Sequence, residues 1–276
     1  LLRGNRHLSP GVVALLIGVP LYSMPVGWLL VLGIPAVLWK TSLEWLRRAW
    51  DTTWTYDAAW YGALLPFSWL LLSYLAFNFL SVVRPFPIGW DDLGRYLNQP
   101  HLLVSYGHFI PTMPTFQWEY ITSLGYMLFG YDSTFGATLA MQINWAAGVL
   151  AILAIIAFGS VFFGPGGGIL AALLYYTLPL VGHFSFADMK VDNAIFAVGA
   201  MSMLALFLTL FRTADDEEAG VEGHPWSDRR TWIIIAGILG GFAFAMKATA
   251  IMVVMMLACV LAGGLLGGYA FTGSIF

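Results

Sequence analysis

Six ionisable side chains stand at or just beyond the ends of long apolar runs. They are Asp91 and Asp92 in Trp90-Asp91-Asp92-Leu93-Gly94-Arg95-Tyr96, then Asp188, Lys190 and Asp192, and finally Lys247. With only 15 acidic residues and 12 Lys and Arg in 276 positions, charge is scarce in this chain, and its placement calls for an explanation. A charge beside hydrocarbon is costly unless it is paired or faces water, so one polar cavity shared by all six is the economical reading. The chemistry open to such a set is proton removal by a carboxylate and stabilisation of growing negative charge by the cations. Asp188 and Asp192 lie four residues apart around Lys190 and share one face if a helix begins there. Taken singly, each charge also suits a helix end or the headgroup layer.

The elements that must position these residues are apolar. Apolar residues make up 59% of the chain and charged ones 10%, and the mean hydropathy is +0.79. Such a composition excludes a large soluble core and points to an all-α, polytopic transmembrane bundle forming one domain over residues 1–276. A bilayer crossing needs about 20 apolar residues. By that measure seven spans are expected, near residues 11–38, 61–83, 136–162, 168–184, 193–211, 232–246 and 248–270. The run Gly164-Pro165-Gly166-Gly167-Gly168 reads as a tight turn between the third and fourth. Cys259, the single cysteine, cannot form a disulfide within the chain and reads as a small packed hydrophobe. The chain opens on Leu1 and stops at Phe276 just after a Gly-rich apolar run, so it reads as the N-terminal part of a longer protein.

Orientation follows from the cations. The Lys40–Arg48 stretch and the polar linker 212–231 together hold six of the 12 Lys and Arg, and the positive-inside rule makes both cytoplasmic. Between residues 40 and 60, Trp45, Trp50, Trp54 and Trp60 alternate with Arg47, Arg48 and Asp51, as in an amphipathic helix lying in the headgroup layer. Alternation of spans then puts the long loop 84–135, the turn 182–192 and Lys247 on the external face. All six charges converge there.

The loop residues Trp90 to Pro100, Gly107-His108-Phe109-Ile110-Pro111 and Trp118-Glu119-Tyr120 before Leu124-Gly125-Tyr126 resemble the first external loop of the GT-C superfamily of integral-membrane glycosyltransferases. The likeness is to the branch of protein O-mannosyltransferases and aminoarabinose transferases. Phe162-Phe163-Gly164-Pro165, Ala187-Asp188-Met189-Lys190-Val191-Asp192-Asn193 and Gly237 to Thr249 follow in the same order, so that the likeness spans about residues 61–260. The resemblance implies transfer of a sugar from a polyprenyl-phosphate carrier to a hydroxyl of a lipid, glycan or protein acceptor. It further implies a prokaryotic plasma-membrane enzyme active at the outer face, with short membrane-surface helices in the loop.

Under that resemblance the catalytic residues are Asp91 and Asp92, with Asp91, first in the motif, the first choice of general base. Relatives commonly carry Asp-Glu, Asp-Ala or Asp-Ser at the pair, which leaves both carboxylates in play. Lys247 is the first candidate for the donor phosphate, with Arg95 and Lys190 behind it. Asp188, Asp192, Glu119, Trp118, Tyr120 and His108 are the candidates for sugar or acceptor contacts. Some members use a divalent cation near the loop carboxylate, and Asp91, Asp92 and Glu119 are the oxygens that would be offered to one. His101, His108 and His183 show no metal-ligand spacing, so no metal site is assigned, and no basic stripe suggests nucleic acid. Two other classes compete. A transporter or channel would place charges within spans and show an internal repeat, and a non-catalytic subunit of an envelope assembly would tolerate loss of the carboxylate pair.

Overall fold

A computed structural model describes residues 19–54, 58–83, 89, 91–110, 117–185, 188–211 and 229–267. All regular structure among these residues is helical. Helix α1 (Met24–Val37) is interrupted by a π-turn at Leu29–Gly33. Helix α2 (Trp39–Trp54) carries the Trp and Arg stretch, and α3 (Ala58–Val82) contains Pro66. Three short helices, α4 (Asn98–Tyr106), α5 (Gln117–Thr122) and α6 (Leu124–Phe129), fill the stretch read as the long loop. The long element α7 (Thr134–Thr177) precedes α8 (Asp192–Phe211), α9 (Arg229–Met246) and α10 (Ile251–Gly267).

Element α7 is a hairpin of two helices. Ser133 caps its start, its hydroxyl accepting from the Phe135 N–H at 3.2 Å. At Gly164 the backbone takes φ +71° and ψ 172°, a conformation open to glycine, and Pro165 starts the return arm at a position where a missing N–H costs nothing. The arms then meet along small residues. A Cβ on Gly159 would lie 2.8 Å from Gly168 Cα, and one on Gly168 would lie 2.5 Å from the Ile156 carbonyl oxygen. Further from the turn, Ile152 packs with Ala172, Leu173 and Tyr176, and Leu71 of α3 completes that cluster. The glycine-rich turn expected at 164–168 is therefore present, although its later glycines serve close packing. Gly168→Val should cost about 3 kcal/mol or more, the upper end for overpacking, because backbone rather than a movable side chain blocks the new methyls. Gly237→Ala, with nothing within 4 Å of the added methyl, is the control and should be neutral or stabilising in the same thermal unfolding measurement.

Helix α8 lies against both α7 and α9. Its contact with α9 is close: Ser202 Oγ donates to the Ala236 carbonyl at 2.6 Å, and Ala205, Leu206 and Ala236 form a small core there. The short helix α6 seats Gly125 on α7, where a Cβ would come within 2.5 Å of the Ala140 nitrogen. The main core runs beneath the charged segments. Tyr96, Trp118, Met189, Val191 and Met246 all belong to it. Each is the sequence neighbour of a charge, so packing of the apolar residue fixes where the charged one emerges.

The expected count of seven spans is not reached. One helix, Thr134–Ser160, is long and apolar enough to cross a membrane, with 27 residues that include an 18-residue stretch of mean hydropathy 2.0. The other apolar helices among the described residues, Met24–Val37, Pro66–Val82, Asp192–Phe207, Arg230–Met246 and Ile251–Val260, run 10–17 residues. Within the expected first and fourth spans the helix is interrupted, by the π-turn in α1 and by the departure from helix at Leu178, whereas the Gly164 reversal and Lys247 fall at expected span boundaries. Residues 11–18 of the first expected span, and the linker 212–228 read as cytoplasmic, lie outside the described residues. Cys259 is exposed on α10 rather than packed, because that helix turns Met252, Met255 and Met256 outward on the same surface.

Candidate functional site

The Asp92–Tyr96 stretch is a single wide turn of helix opened by the Leu93 N–H donating to the Gly89 carbonyl. Tyr96 points into the core and is 8% exposed, whereas Asp91 stands exposed. The phenol reports what surrounds it. Burial pushes its pKa up; Lys247 pulls it down, Asp192 raises it, Arg95 lowers it and Asp91 raises it. Tyr96 is therefore a neutral hydroxyl at physiological pH, able to donate and accept, with two carboxylates and two cations close enough to act on it. Those four charges come from three separate stretches of chain.

Lys247 is carried here by the end of α9. The helix stops at Met246, which is fully buried, and the Lys247 carbonyl accepts from the Ala250 N–H to start the next turn. Its Nζ donates to Asp192 Oδ1 at 3.3 Å, with side-chain exposures of 26% and 50%. So exposed a pair contributes little to stability. Its significance is positional, since it ties the start of α8 to the end of α9.

Behind these charges lies a buried layer. Glu119 is 1% exposed, and its Oε1 lies 3.8 Å from Arg95 Nε, a charge contact longer than a hydrogen bond. With the Gln99 amide nitrogen turned toward it, that carboxylate also accepts from Gln99 at 2.9 Å. An ionised carboxylate so deep must be compensated, and Arg95 and Gln99 do this. Trp118, 7% exposed, donates from Nε1 to Asn144 Oδ1 at 2.9 Å. Asn144 Nδ2 in turn donates to the Asp188 carbonyl at 3.0 Å and to the Lys190 carbonyl at 3.4 Å. Adjacent residues of α5 thus hold two walls, Glu119 the Asp92–Tyr96 turn and Trp118, through Asn144, the 188–190 segment.

No family model matches the chain, nor does any curated protein or solved structure. The assignment of the site therefore rests on geometry. Among the described residues no group of three or more His, Cys, Asp or Glu side chains is arranged to hold a metal ion.

Of the residues singled out from sequence, the structure pairs Asp192 with Lys247, and these two act electrostatically on Tyr96 together with Asp91 and Arg95. Lys190 and Asp192 also line a pocket of about 350 Å³. Asp188 is 8% exposed and joins the site through its backbone, held by Asn144. The Trp118 ring and the Glu119 carboxylate are enclosed in packing rather than presented at a ligand surface. Tyr120 stacks on Tyr22 with ring centroids 6.1 Å apart and meets Phe109 at 6.2 Å, stitching the start of α1 to the loop helices. His108 is exposed and joins none of these contacts. The Asp92 side chain lies outside the described residues. The residues missed were Asn144 and Tyr96; an asparagine inside the apolar run 134–160 was the available signal for the first.

Proposed function

We propose that the chain is a membrane glycosyltransferase that moves a sugar from a polyprenyl-phosphate-linked donor to an acceptor hydroxyl at the outer face of a plasma membrane. The observation that supports this reading is the Lys247–Asp192 pair, which brings a cation from the end of α9 to the start of α8, and these two charges act on Tyr96 together with Asp91 and Arg95 from its own turn. Asp91 takes the proton of the acceptor hydroxyl as its oxygen bonds to the anomeric carbon. The bond from that carbon to the phosphate oxygen breaks, and the electron pair leaves with the polyprenyl phosphate. Lys247 and Arg95 bind the departing phosphate more strongly as its charge grows, which lowers the barrier. Asp192 holds Lys247 at its station before the donor arrives, and Glu119 holds Arg95.

The exterior of the bundle supports a lipid setting. Val37, Phe77, Leu80, Ile238 and Met252 are 65–81% exposed, on four different helices. Helices apolar on every side suit hydrocarbon, and an apolar surface spread over this many helices exceeds what a soluble monomer presents. We read the shorter apolar helices as crossing or entering the bilayer beside Thr134–Ser160, with α2 along its surface. The test is reconstitution into liposomes with a polyprenyl-phosphate hexose and a mixture of hydroxyl acceptors. Release of polyprenyl phosphate that depends on the protein is expected. Ser105→Cys, in a Cys259→Ala background, should react with an impermeant maleimide from outside intact cells. Absence of release with every donor sugar tried, or labelling of Ser105→Cys only after lysis, would overturn the reading.

A further inference from the structure

The pocket at the start of α8 contains a polar group that no described residue satisfies. Asn193 is 2% exposed and lines this pocket, and its Oδ1 accepts from the Tyr175 hydroxyl at 3.0 Å. Its Nδ2 is buried with no hydrogen-bond partner among the described residues. A buried amide donor left unmade is destabilising, so such groups are rare and mark places where something binds. Turning the amide over does not remove the vacancy. It passes it to the oxygen.

The rest of the wall says what would bind. The Tyr175 and Phe196 rings are stacked, with centroids 4.8 Å apart and planes 24° from parallel, and Leu180 and Val181 continue the apolar side. Lys190 and Asp192 stand on the polar side. These two are of opposite sign, and Asp192 is also paired with Lys247. A phosphate or carboxylate drawn to Lys190 is repelled by Asp192, while an ammonium meets the reverse. A hydroxyl gains from both, donating to Asp192 while accepting from Lys190 and from Asn193 Nδ2, and a second hydroxyl can donate to Asn193 Oδ1 where the amide is turned over. Leu180, 73% exposed, leaves a side open toward the apolar exterior through which an alkyl chain can run.

We propose that this pocket binds an uncharged, hydroxyl-bearing amphiphile, its head hydrogen-bonded to Asn193 between Lys190 and Asp192 and its chain lying along Leu180, Val181 and Phe196. Such a site adjoins the phosphate station, sharing Asp192 with Lys247. It stands whether or not the chain transfers sugar, because binding alone defines it.

The experiment uses the whole chain in phosphatidylcholine nanodiscs, with octyl β-glucoside bearing a diazirine in its alkyl chain, below its micellar concentration. An octyl phosphate with the same diazirine is the anionic comparison. Cross-links mapped by mass spectrometry should be saturable and concentrated in residues 175–196, with the phosphate labelling about tenfold less at equal concentration. Loss of one hydrogen bond should make Asn193→Leu label about 5–10-fold less, with the chain still melting cooperatively, since removal of the unmade amide donor offsets the partner lost by the Tyr175 hydroxyl. Should that variant fail to fold, Phe196→Ala, which removes the exposed edge of the wall, is expected to reduce the same labelling. Labelling spread evenly over the apolar helices, phosphate labelling equal to or above that of the glucoside, or saturable labelling unchanged in the folded Asn193→Leu or Phe196→Ala protein would each overturn the proposal.

Discussion

Asp91→Asn should lower kcat for sugar transfer by about 10²–10⁴-fold, the range associated with loss of a positioned general base. The substitution keeps the shape and the hydrogen-bonding reach of the side chain but removes its capacity to take a proton. Because Asp91 is exposed, neither the buried Tyr96 beneath it nor the Glu119 and Arg95 contact depends on it for packing, so the melting temperature should move by less than about 0.5 kcal/mol of stability, as for an ordinary surface change. The informative comparison is Asp192→Asn. That change frees Lys247 from its 3.3 Å partner without touching the proposed base, so it should act mainly on KM for the phosphate donor. Turnover retained in Asp91→Asn would remove Asp91 from the chemistry. A drop shared equally by kcat and donor KM in both variants would instead mean that the two carboxylates serve one electrostatic role.

What could be read from the sequence, and what could not, divides along physical lines. Asp91 and Lys247 stood out because charge is scarce in this chain, and scarcity is visible without any partner in view. The reversal at Gly164-Pro165 was legible for a similar reason: its cause is local, one residue free to take φ +71° followed by one that cannot continue a helix. The role of Glu119 was not. A carboxylate in a loop full of aromatics reads as solvated or ligand-binding, and only the fold reveals that Arg95 and Gln99 close over it. Trp118 is a parallel case, since a ring that stacks on a sugar and a ring that fills a core have the same sequence context. The span count departs from expectation where a break lies inside an expected span, as at the π-turn Leu29–Gly33 and at Leu178, because hydropathy sums over a window and registers neither.

Asn144 is the extreme case of a residue whose importance depends wholly on distant partners, and its loss is expected to affect both stability and function. It is 1% exposed, and three hydrogen bonds meet on its amide, one from Trp118 and two to the carbonyls of Asp188 and Lys190. Asn144→Leu preserves volume but leaves the indole N–H and at least one carbonyl buried without partners, at about 1–3 kcal/mol each. A total loss of about 3 kcal/mol is expected, read as a fall in the melting temperature of the purified chain. Trp118→Phe removes only the indole donor and should cost about 1 kcal/mol, because Asn144 keeps its bonds to the 188–190 segment. If Trp118 and Asn144 act as one strut, the double variant should cost less than the sum of the singles, with a coupling of about 0.5–3 kcal/mol. Simple additivity would show that the two residues stabilise the fold separately. The strut also predicts a functional asymmetry. Asn144→Leu unpins the segment that carries Lys190 and Asp192 and should therefore weaken both transfer and capture of the glucoside probe, whereas Asp91→Asn should abolish transfer and leave capture intact.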